Sequence, residues 1–164
     1  MKRGLILLAL LVVVPALLAA PGQAAGPENF RAHLSGAEEV PPVDTKATGQ
    51  STFQLDTDAT ELRYRVTVAN IEDVTQAHIH CGATGVNGPV VAFLFGPDAD
   101  GTSPNGILAQ GTLTDADVIP RADSAACPGG VANFAEMVDK IRSGNAYVNV
   151  HTQQWPGGEI RGQL

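Results

Sequence analysis

The sequence predicts an all-β domain, a Greek-key antiparallel β-sandwich crossed by one short helix. Three observations predict it. After the first 25 residues the chain is rich in Gly, Thr and Val, with turn signals roughly every ten residues. Leu62 to Val68 alternates without a break, setting Leu62, Tyr64, Val66 and Val68 inward and Arg63, Arg65 and Thr67 outward. One stretch has helical spacing instead: Phe134, Met137, Val138 and Ile141 follow i, i+3, i+4, i+7.

Residues 1–25 stand apart from this pattern. Lys2 and Arg3 precede a nearly continuous run of Leu, Val and Ala, and small residues follow around Gly22-Gln23-Ala24. This order is that of a secretory signal peptide, with an uncleaved membrane anchor as the alternative. No cysteine lies near the cleavage region to accept a lipid. Cleavage would leave 8 basic against 17 acidic residues, a net charge of −9 in place of −7. An acidic domain without a basic cluster is a poor partner for nucleic acid or an anionic membrane surface. Residues 26–164 then make one domain, with no repeat, low-complexity block or linker after residue 30.

Within the domain, Phe30 to Leu34 is a first strand, ended by Ser35-Gly36. Ser51 to Leu55 follows, with Phe53 and Leu55 inward. Asp56-Thr57-Asp58-Ala59-Thr60 connects it to the strand at Leu62 as a hairpin. Ala77 to Cys81, Val90 to Phe95 and Ile107 to Leu113 supply three more strands. The helix around Phe134 stops at Ser143-Gly144, and Ala146 to Thr152 and Glu159 to Leu164 close the chain as a hairpin turned at Pro156-Gly157-Gly158.

Chemistry concentrates in two of these strands. His78 and His80 are two apart, so they share one strand face while Ile79 takes the other. Tyr147, Asn149 and His151 likewise share a face. If the two strands lie close, His78, His80 and His151 can converge as ligands of one copper or zinc ion, with Asn149 and Glu159 as outer partners of the rings. At a given nitrogen site the affinity series favours copper(II) over zinc(II). The competing reading is structural: the histidines hydrogen-bond the surrounding loops and hold one end of the fold together.

Cys81 and Cys127 are the only cysteines, and in an exported chain an oxidised pair is the default. A thiolate at Cys81 beside His80 is the rival, opposed by alternation, which faces Cys81 with Ile79. Asp98-Ala99-Asp100-Gly101 lacks the spacing and terminal Glu of a calcium loop and reads as a solvated acidic turn. There is no Gly-x-Ser-x-Gly elbow, phosphate-binding Gly-Lys-Ser/Thr loop or Cys-x-x-Cys pair, so hydrolase and nucleotide chemistry have no motif and no catalytic residue is assigned.

Four segments, in order, resemble a CHRD (chordin-type) domain. They are Leu34-Ser35-Gly36-Ala37-Glu38-Glu39-Val40-Pro41-Pro42; Ala77-His78-Ile79-His80 with Gly82 and Gly88-Pro89-Val90-Val91; Gly144 to Thr152; and Gly158-Glu159-Ile160-Arg161-Gly162. The resemblance implies an extracytoplasmic β-rich domain, secreted or held in the cell envelope; the analogy with chordin adds a protein-interaction module, and the missing catalytic motifs favour a binding domain over an enzyme. It assigns no role to His33 and names no protein partner. In layout alone the His-x-His strand resembles the copper strand of Cu,Zn superoxide dismutases. Their two-metal site takes more histidines than the four present here, so the resemblance reaches no further than a single three-histidine site.

Overall fold

The computed structural model describes residues 26–164; the expected signal peptide, residues 1–25, lies outside them. Among the described residues eight strands form in chain order: β1 (Glu28–Ser35), β2 (Thr48–Leu55), β3 (Leu62–Ala69), β4 (Val74–Cys81), β5 (Val90–Phe95), β6 (Gly106–Leu113), β7 (Ala146–Thr152) and β8 (Ile160–Gln163). One helix, α1 (Phe134–Arg142), precedes β7, and short 3-10 turns occupy Gly36–Glu38 and Asp115–Asp117. Every pairing is antiparallel.

The alternation read in β2 and β3 is realised. Phe53, Leu55, Leu62 and Val66 are buried, Tyr64 is half-buried, and Arg63 and Arg65 are exposed. The β2–β3 turn closes on Asp56, whose carboxylate accepts from the backbone N–H of Thr60 and of Glu61 at 2.7 and 2.9 Å. In the β3–β4 connection the left-handed positions are Asn70 and Asp73, residue types that tolerate positive φ better than most.

The hydrogen-bond ladder joins all eight strands into one sheet, in the order β5-β4-β7-β8-β1-β2-β3-β6, rather than dividing them between two separate sheets. The sheet curls until its ends approach, and the Tyr64 hydroxyl on β3 donates to the Leu94 carbonyl on β5 at 2.8 Å. The result is a nearly closed barrel. Its interior is filled by Leu34, Phe53, Leu62, Val66, Ile79, Val148 and Ile160, among others. The outer edge of β5 is taken up by the segment after the second 3-10 turn, where Ile119 N–H donates to Val91 O at 2.8 Å.

Helix α1 buries Phe134, Met137, Val138 and Ile141, the four residues whose spacing predicts it. Asn133 caps it, its side-chain oxygen accepting from Glu136 N–H at 3.0 Å, and Gly144, at φ +70°, provides the left-handed residue just past its end. Among the described residues no helix is long and apolar enough to cross a membrane.

Candidate metal centre

Strands β4 and β7 are neighbours in a register that sets His80 opposite Tyr147, His78 opposite Asn149 and Gln76 opposite His151. With side chains alternating along each strand, Ala77, Ile79, Val148 and Val150 fill the barrel interior. His78, His80, Tyr147, Asn149 and His151 share the other face, and Arg161 on β8, opposite Asn149, joins them. His151 is the diagonal neighbour of His78, close enough for long side chains to meet.

This outer face is covered. His78, His80 and His151 are only 3%, 8% and 6% exposed. Their cover comes from the Glu39 turn, the 82–89 loop, the 153–159 turn and Phe93 of β5, whose ring meets His78 edge-on at 4.4 Å. The imidazole centroids lie 4.8 Å (His78–His151), 5.5 Å (His78–His80) and 6.0 Å (His80–His151) apart. One ligand nitrogen from each ring falls within 4.8 Å of the others. Two nitrogens on one ion at about 2.1 Å can be no more than about 4.2 Å apart, so rings at the outer limit of that spacing would have to draw together by about 0.6 Å to share an ion.

The protonation pattern follows from the outer contacts. His80 Nδ1 lies 2.9 Å from the Gly88 carbonyl and His151 Nδ1 3.0 Å from the Pro156 carbonyl. A carbonyl only accepts, so both Nδ1 atoms carry the proton and both Nε2 atoms keep a lone pair. His78 Nδ1 approaches His151 Nε2 at 3.1 Å. That leaves Nε2 of His78 and of His80 buried with no hydrogen-bond partner among the described residues. Buried nitrogens without partners are costly, and outer carbonyls fixing the tautomer are what metal-binding histidines generally have.

Burial and the neighbouring His151 and His80 push His78 down to about 3. Burial brings His80 to about 4 against the Gly88 contact, helped by His151, Arg161 and Arg121. Burial also lowers His151, against its Pro156 contact. All three rings are therefore neutral near pH 7, the form that ligates metals.

Around the rings, Tyr147 stacks on His80 at 4.7 Å and 12°, and the Arg161 guanidinium sits 3.4 Å above the Tyr147 ring. Arg161 also donates to Asn87 Oδ1 at 3.1 Å and to the Ala83 and Val86 carbonyls at 3.3 and 3.0 Å, tying the 82–89 loop to the sheet. Glu39 accepts from Asn149 Nδ2 at 3.1 and 3.2 Å. No sequence pattern assigns a function to Arg161, Glu39 or Tyr147, although Tyr147 stands two residues from Asn149 and the other two lie in the opening and closing motifs.

The expected outer partners of the rings need correction. Asn149 lies on the histidine face but bonds Glu39, not an imidazole. Glu159 is further off: it accepts from Thr45 Oγ1 and Thr152 Oγ1 at 2.7 and 2.8 Å. It lines a surface cavity of about 540 Å³ that includes none of the histidines. Backbone carbonyls, which no side-chain pattern reveals, hold His80 and His151 instead. His33 is apart from the cluster, with Nδ1 3.1 Å from Gly49 O. Cys81 and Cys127 form a disulfide with Cα atoms 5.4 Å apart, so no thiolate stands beside His80.

Fold and cluster together define a disulfide-bonded antiparallel β-barrel domain with three neutral histidines packed beneath its surface loops. The chain belongs to the CHRD domain family, whose profile matches residues 30–164. No curated protein and no solved structure matches it.

Proposed function

We propose that the protein is an extracytoplasmic, non-enzymatic binding domain that holds one copper or zinc ion through His78, His80 and His151. The observation that carries this reading is the pair of buried Nε2 atoms without partners, in a cluster of three neutral imidazoles. A cation there would accept the lone pairs that the protein leaves unused. Gly88 and Pro156 would fix two rings in the required tautomer, and the loops above would exclude water. Export is supported by the charged, apolar, small-residue order of residues 1–25 and by the disulfide. N-terminal sequencing of the exported protein should find a start near residue 26; an intact Met1 would refute cleavage.

A second reading has its own support. The 3.1 Å approach of His78 Nδ1 to His151 Nε2 is also a good hydrogen bond, as expected if the histidines only brace an interaction module. Elemental analysis and metal titration separate the two. One copper or zinc per chain, reported by Trp155 four residues from His151 and lost in His151→Ala, supports the metal centre. Failure to bind either ion at one equivalent leaves the structural reading.

A further inference from the structure

We infer that the three-histidine centre prefers monovalent copper to copper(II) and zinc(II). The inference rests on the metal centre proposed above and goes further, to the charge of the ion. Three observations lead to it.

The first is the donor set. Among the described residues no carboxylate or thiolate joins the three imidazoles, and residues 1–25 contain no His, Cys, Asp or Glu to add. Asn149 Oδ1, another buried atom without a partner, could add a neutral oxygen but no charge. A filled-shell monovalent copper ion is satisfied by two or three donors. Zinc takes four, and copper(II) a tetragonal set of four or more.

The second is the electrostatic setting. The guanidinium of Arg161 lies over Tyr147, which stacks on His80, and Arg121 reaches the adjoining strand through Val90 O at 2.6 Å. Both guanidiniums thus bring positive charge to the elements that carry and cover His80. Glu39, the acid on this face, is bonded to Asn149, and burial raises it to about 7, so it offers the cluster less than a full negative charge. The cost of placing an ion in a low-dielectric site grows with the square of its charge, so a divalent ion there costs about four times what a monovalent ion does.

The third is the cover. Phe93 closes against His78 with an apolar edge, where a divalent ion would need a further polar ligand. Position 93 is itself 40% exposed, so it accepts a polar side chain without disturbing the core.

The test is a set of competition titrations on the purified protein. Copper(I) is held reduced anaerobically by ascorbate, which spares the disulfide, against bicinchoninate; copper(II) and zinc(II) are each titrated against a chelator of known affinity. The expected result is one copper(I) per chain, bound about a hundredfold more tightly than either divalent ion. Divalent binding as tight as copper(I) binding would overturn the inference while leaving the metal centre in place. No ion at one equivalent would overturn both. Histidine variants can fail by misfolding, so the second arm is Phe93→Glu, which supplies the missing charge from the surface. It should narrow the gap between copper(I) and zinc(II) about tenfold. An unchanged gap would count against the charge argument and overturn the inference.

Discussion

At the scale of single residues, the buried titratable groups pull stability in opposite directions with pH. His78, His80 and His151 are all lowered, so the unfolded chain binds their protons more readily. Their contribution is complete above about 6.5 and is lost as the pH falls toward 4 and 3. Glu39 is raised to about 7, chiefly by burial and against the pull of Arg161 and Asn149. Its contribution is present below 4.5 and is lost as the pH rises through 7. With three groups against one, the melting temperature of the metal-free protein should drop on acidification from pH 7 to 5. Glu39→Gln mimics the protonated acid, so its melting temperature should exceed that of the wild type by more at pH 8 than at pH 5. A difference that does not change with pH would mean that Glu39 titrates normally. The histidine faces were legible because alternation needs only the sequence of one strand. The partners of the rings were not: a carbonyl from a distant loop has no sequence signature, and placing Arg161 or Glu39 requires the register of three strands.

At the scale of elements, the decisive piece is the 82–89 loop. It presents the Gly88 carbonyl to His80 and is held by Arg161. At Gly88 an added Cβ would overlap the Cys81 carbonyl, so Gly88→Ala must push the loop outward. That variant should weaken binding of copper or zinc while far-UV circular dichroism stays that of the wild type. Undiminished binding would show that the loop does not position His80. The helix offers a simpler check. Asn133→Ala removes the cap and should cost about 1 kcal/mol in denaturant unfolding. Truncating the fully buried Met137 to Ala should cost about 2–5 kcal/mol. Strands and helix were readable because burial imposes a period on them. Residues 36–47 and 114–133 have no period, and they are the segments that cover part of the site and the edge of β5.

For the whole molecule, the sheet order was the part the sequence withheld. Hairpin neighbours such as β2 and β3 follow from a short turn, but β4 beside β7 and β8 beside β1 join residues far apart in sequence, which no local pattern records. The disulfide, by contrast, could be anticipated from two cysteines and an export sequence. It closes a separation of 46 residues, worth about 4 kcal/mol on the chain-entropy account. Reduction should lower stability by up to that amount yet leave the barrel folded, since Cys81 and Cys127 are only two of the many residues in its buried core. Thiol titration of the unfolded, unreduced protein should find no free sulfhydryl.

Strand β7 carries one further consequence. All seven of its residues are buried, hydrophobic side chains on one face and the histidine layer on the other, with strands paired along both edges. From Ala77 to Cys81, β4 is buried on both faces as well. Here the sheet is an internal partition, with no side open to water. Its amides cannot meet solvent through fraying or a local opening of one loop. Their exchange with deuterium should therefore wait for global unfolding and be the slowest in the molecule, while the amides of β6, a mostly exposed strand at the end of the sheet, exchange through smaller openings.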